Sequence, residues 1–238
     1  MAGYQRQDCI RIDGRDVPVT LRANSRARRF IVRVHPVTGE VAITAPSEAS
    51  FPNALRFARK EHRWIAQQLE AVPDQVPFVP GAKVPFRGTP HIIEHNPKAK
   101  GTVWLDSDGL FPAIVSTGDA PHVPRRVKDW LKKQARSEFN ALVAEFGQDL
   151  NTMPKKLTIR DPETRWGSCA TNGVISFSWR LILAPPFVMR YVAAHEMTHL
   201  IHMHHRKSFW TLLDTLVDDV DDAKAWLSQH GSHLHRYG

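Results

Sequence analysis

The sequence predicts an α+β fold, with a β-rich region ahead of a helix-rich half. Three observations point to it. Short runs rich in valine and isoleucine fill much of the first 118 residues and are broken every few residues by glycine and proline. One long stretch with helical spacing, from about Pro124 to Gly147, opens the second half. After two further strand-like runs comes a proline-started helix dense in histidine. We therefore divide the chain into a β-rich region with one helix at residues 1–118 and a second domain at 119–238.

Taken in order, RIDGRDVPVTLRA, RRFIVRVHP and EVAITAP are partly alternating and read as strands. Val37-Thr38-Gly39 makes a turn, so IVRVHPVTGEVAITA reads as a hairpin. From Ser47 to Leu69 the period becomes helical, with Ala54, Leu55, Phe57, Ala58, Trp64, Ile65 and Leu69 on one face. Pro73 to Pro80 is a break, and VPFRG, HIIEH and GTVWL are further strands. Pro124 suits the first turn of the next helix, where its missing amide hydrogen leaves nothing unpaired. That helix presents Val127, Trp130, Leu131, Ala135, Phe139, Leu142, Val143 and Phe146 to a core. KLTIRD and GVISFSW are strands around the turn-rich RWGSCATN. Pro185-Pro186 opens the histidine helix, and FWTLLDTLV and DAKAWLSQ form two shorter ones.

Composition narrows the function classes. With 42 % hydrophobic and 24 % charged residues, the chain of 238 reads as a soluble globular protein. No apolar run reaches membrane-spanning length, and MAGYQRQDCIRIDGRD lacks the apolar core of a signal peptide. Two distant cysteines, Cys9 and Cys169, argue against a disulfide framework and suit a reducing cytoplasm. The net charge of +8 favours polyanionic partners. Two clusters are candidates for phosphate contact: Arg22, Arg26, Arg28, Arg29 and Arg33, and then Arg125, Arg126, Lys128, Lys132, Lys133 and Arg136. The aspartates from Asp214 to Asp222 read as a solvated face, with Asp218 and Asp219 weak candidates for a second metal.

The chemistry concentrates in YVAAHEMTHLIHMHHRKSFW. His195-Glu196-Met197-Thr198-His199 is HExxH. Residues four apart share a helix face, so both imidazoles reach one ion, while Glu196 points aside, where it holds a metal-bound water without ligating. Zinc normally takes a third protein ligand, and His202, His204 and His205 compete for that role. His202 on an unbroken helix lies about 10 Å along the axis from His195. His204 and His205 return only if the chain bends after His199. The ten-residue spacing from His195 favours His205, although His202 stands where metzincins carry glycine. In RWGSC, Gly167 permits a sharp turn or a close backbone approach, and Arg165 is placed to meet an anion or a developing oxyanion. Cys169 reads as a small buried residue.

Arg165 to Cys169, the strand Val174 to Phe177, Leu183-Ala184-Pro185, His195 to His199, His205 and Phe209-Trp210 occur in one order. Together they resemble the YgjP-like metallopeptidase-like family, relatives of the SprT-type zincins. The likeness extends to the basic SRARRFIVRVHP strand, the VAITAP strand and the helix ending near HRWI. It implies a zincin-like catalytic domain with the HExxH helix packed on a small sheet. It also implies His195, His199 and His205 as zinc ligands and Glu196 as general base. The chain departs from the family at His204 and Ser178, where asparagine is usual. The resemblance implies a zinc-dependent, peptidase-like hydrolase; a polypeptide substrate needs a groove beside the ion and a strand edge to pair with, for which Val174 to Phe177 is the candidate. It also implies a rival activity, a metal-dependent nucleoside triphosphate (UTP) pyrophosphatase. A third reading, a nucleic-acid-associated protein with structural zinc, fits less well, because structural sites fill all four positions with protein ligands.

Overall fold

In the computed structural model, which describes residues 4–72, 74–109 and 111–238, the first sheet follows from alternation. It comprises β1 (Gln5–Ile12), β2 (Arg15–Ala23), β3 (Ile31–Val34) and β4 (Val41–Ala45), in the order β1-β2-β4-β3. In β4 the buried residues are Val41, Ile43 and Ala45, every second one. They meet Ile10, Ile12, Val19 and Leu21 from the neighbouring strands in one core. Two helices complete that core, α1 (Phe51–Lys60) through Phe51, Ala54, Leu55 and Ala58, and α2 (His62–Glu70) through Ile65. Two readings change here. The RIDGRDVPVTLRA segment holds not one strand but the turn of a hairpin, in which Asp13 and Gly14 both take positive φ, +48° and +80°. The helix expected from Ser47 to Leu69 is broken at Glu61.

The chain divides into two compact units, Met1–Asp74 and Gln75–Gly238. This division falls well before the one drawn from sequence at 118/119. The reason is the second sheet, β5 (Lys83–Phe86), β6 (Thr89–His95), β7 (Val103–Asp106) and β8 (Ala113–Ser116), ordered β5-β6-β8-β7. Its Val84, Phe86, Ile93 and Ile114 are buried in the same core as the long helix that follows. Pro73, at the start of the expected break, lies outside the described residues, as do residues 1–3.

That helix, α3 (Val123–Asp149), is about 40 Å long at the usual rise. Val127, Leu131, Ala135, Phe139 and Val143, spaced by four, are its buried stripe. Phe139 stacks on Phe177 with ring centroids 4.0 Å apart, which ties α3 to the third sheet. That sheet has β9 (Lys156–Arg160), β10 (Gly167–Cys169) and β11 (Val174–Ser178) in the order β10-β11-β9. RWGSC is therefore partly a strand, and β11 lies in the middle of its sheet. The edge expected at Val174 to Phe177 falls instead to β10 and β9. A 3-10 turn, Trp179–Leu183, leads to α4 (Pro186–Thr198). Then come α5 (Lys207–Leu213) and α6 (Val220–His230). No described helix is long and apolar enough to cross a membrane.

Candidate metal centre

Helix α4 is apolar nearly all round, the mark of a helix inside a core. Val188, Met189, Val192, Ala193, Ala194 and Met197 are all buried. His195 and Glu196 therefore emerge from packed surroundings. The helix stops at Thr198, whose hydroxyl donates back to the Ala194 carbonyl (2.8 Å), and His199 is already the capping residue. The amides of Ile201 and His202 both close onto the Thr198 carbonyl, so the chain turns sharply. This is the bend that a third ligand needs.

The bend brings His205 back to His195, with their Nε2 atoms 3.2 Å apart. The ligand atoms of His195, His199 and His205 all lie within 4.8 Å of one another, the one metal-sized cluster of His, Cys, Asp or Glu among the described residues. His202 and His204 are not part of it; their rings stack on each other 5.7 Å apart. Asp218 and Asp219 join no such cluster either.

The three imidazoles are held from behind. Buried Phe209 lies under all of them, with centroids 4.9, 4.7 and 4.8 Å from His195, His199 and His205. Trp210 Nε1 donates to the His205 carbonyl (3.1 Å). His199 Nδ1 donates to the His202 carbonyl (3.0 Å), which leaves the Nε2 lone pair free for an ion. Burial, then the charges of His199, His205 and Lys224, pushes His195 down to about 4. Burial also pulls His199 below the ordinary histidine value. Both shifts favour the neutral ring, the form that ligates.

Glu196 is 6 % exposed, and its Oε2, like His195 Nδ1, is buried without a hydrogen-bond partner. Burial raises its carboxyl to about 7, against the lowering pull of the Arg165 charge. Gly167 explains how the carboxylate fits. A Cβ on Gly167 would stand 2.5 Å from Glu196 Oε1, so the glycine of RWGSC serves the close approach. Arg165 itself is exposed. Burial, then the Glu196 charge, pushes the Cys169 thiol up, away from nucleophilic chemistry.

Beside these groups opens a cavity of about 190 Å³ lined by Trp166, Gly167, Tyr191, Val192, His195, Glu196 and Leu227. A second, of about 370 Å³, is lined by Trp210, Lys224 and the acidic run Asp214, Asp218, Asp219, Asp221 and Asp222. None of the basic residues between Arg125 and Arg136 lines either one. Several are engaged elsewhere: Arg125 with Asp129, Arg126 with the Thr117 carbonyl, and Lys128 with the Gly238 carbonyl and the Trp179 ring.

Sequence reasoning missed Arg180. It is buried, grips Asp161 through Nε (2.6 Å) and Nη2 (3.2 Å), and donates to the Leu234 and Tyr237 carbonyls. This clamp holds the start of the loop that carries Arg165 and Trp166. Nothing in its sequence context marks it.

A family model described as YgjP-like, metallopeptidase domain, matches residues 28–230. No curated protein and no solved structure matches the chain.

Proposed function

The chain belongs to the YgjP-like metallopeptidase family, and from that premise we propose that it is a zinc-dependent peptidase, with His195, His199 and His205 holding the ion, Glu196 as general base and Arg165 facing the charge that develops on the substrate. The observation that carries this reading is three clustered imidazoles beside a buried carboxylate outside the ligand set. The donors suit zinc. Two nitrogens on one tetrahedral zinc at about 2.0–2.1 Å stand about 3.3 Å apart, and His195 and His205 stand 3.2 Å apart. When bound, zinc supplies Lewis acidity and lowers the pKa of a water to about 7.

The protein's own groups do the rest. Glu196 takes a proton from the attacking water as carboxylate and gives it to the leaving nitrogen as acid. Arg165 offers a fixed positive charge to the oxyanion. The outer edge of β10, which begins at Gly167 beside Glu196, is available to pair with an extended peptide. The surroundings favour peptide over nucleoside triphosphate. No lysine or arginine lines the cavity at Glu196, and in the neighbouring cavity five aspartates stand against one lysine, Lys224, a balance unfavourable to phosphate.

The test offers zinc-loaded protein unfolded casein and UTP side by side, with Glu196→Gln as control. We expect peptide-bond cleavage that falls at least about 10²-fold in Glu196→Gln while its zinc content holds. Pyrophosphate release from UTP that vanishes in the control, with no proteolysis, would establish the phosphohydrolase reading instead.

A further inference from the structure

We propose that the cavity beside Glu196 is a specificity pocket for an uncharged, apolar side chain of the substrate, next to the bond that is cut. The inference rests on the peptidase reading and names the class of peptide the site selects. Its walls are the argument. Beside Gly167, Glu196 and His195, the lining is Trp166, Tyr191, Val192 and Leu227. No lysine, arginine or aspartate lines it. A charged side chain entering there would lose its water and gain no counter-charge other than the groups needed for chemistry.

The walls are fixed in place. The Trp166 ring packs on His235 (5.1 Å) and against Gly231, where a Cβ would stand 3.0 Å from it. The Tyr191 ring meets the His195 ring edge-on at 5.8 Å. Leu227 is the one wall residue contributed by α6, so it sets the depth from that side. Size agrees with the assignment. An apolar cavity of about 150 Å³ suffices for benzene, and this one measures about 190 Å³. A leucyl or phenylalanyl side chain fits, whereas pockets for drug-sized ligands begin near 300 Å³.

The experiment has two readouts. The first needs no turnover. Zinc-loaded protein labelled at its tryptophan indoles is titrated by NMR with the N-acetyl amides of leucine, phenylalanine, glycine, aspartate and lysine, and Trp166→Phe identifies the Trp166 signal. The leucine and phenylalanine amides should move that signal and saturate at concentrations at least about tenfold lower than the other three. The second maps cleavage sites in unfolded casein by mass spectrometry. Cuts should fall beside leucine, phenylalanine, valine and methionine. Leu227→Trp, which fills the pocket, should shift them toward glycine and alanine, and Leu227→Ala, which deepens it, toward tryptophan. Equal binding of all five amides, tighter binding of a charged one, or both Leu227 variants keeping wild-type selectivity would overturn the proposal. Selective binding without proteolysis would uphold the pocket and count against the peptidase reading alone.

Discussion

Gly167 and Glu196 set each other's limits. The carboxylate occupies the space that any side chain at position 167 would need. Gly167→Ala should therefore displace Glu196, costing about 1–3 kcal/mol as an overpacked core change does, together with most of the activity. Urea unfolding and turnover measured on the same preparation would show it, and unchanged turnover would mean that Glu196 has room to spare. The burial of Glu196 also carries a sign. Its folded value of about 7 lies above the ordinary 4.5, so the metal-free folded protein keeps a proton that the unfolded chain has lost. Stability should fall as pH rises from about 4.5 to about 7 and then level off, a contribution on the order of 3 kcal/mol. Metal-free Glu196→Gln should lose that part of the slope, measured as the difference in unfolding free energy between about pH 4.5 and about pH 8. A variant with the wild-type slope would place the titration elsewhere.

The end of α4 decides which histidines gather. His195 and His199 were legible from spacing alone, because a helix puts residues four apart on one face. His205 was not derivable that way. The turn at Leu200-Ile201-His202 contains neither glycine nor proline, so only the ten-residue spacing and the family likeness pointed to it. The geometry yields a direct comparison. His205→Ala should weaken zinc binding by at least about tenfold, as loss of one coordinating group does, and His202→Ala and His204→Ala should change it little. Equal affinities across the three variants, read by competition with a chromogenic chelator, would refute the arrangement. Other elements show why reading from sequence fell short. Asp13-Gly14 is a strong hairpin signal that a continuous run of strand formers obscured. Strand β8 is short and buried at all four residues, Ser116 included, so it shows no alternation of apolar and polar positions. The break at Glu61 has no proline or glycine to announce it. The place of β11 inside its sheet depends on pairing with β9, which precedes it by the whole RWGSC loop. Local pattern does not encode such partners.

Across the chain, charge and chemistry are distributed unevenly. The net charge is +8, yet the larger cavity near the metal centre is lined by aspartates. The exposed arginines Arg22, Arg26, Arg28, Arg29 and Arg33 belong to Met1–Asp74. A total charge read from sequence thus said little about the ligand preferred at one site. Every residue named at the metal centre belongs to Gln75–Gly238. The two hydrophobic clusters, one built on Leu21, Ile43 and Phe51 and the other on Phe139, Phe177 and Met197, have no buried residue in common. A chain with more than one such unit is the case in which a single two-state transition fails. A calorimetric scan should resolve two heat-absorption peaks instead of one. An ion that binds only the folded form of one unit raises that unit's stability alone, by about 4 kcal/mol at a thousandfold excess over its dissociation constant. Added zinc should move one peak upward and leave its companion in place. A single peak that shifts as a whole would mean that the two cores unfold as one.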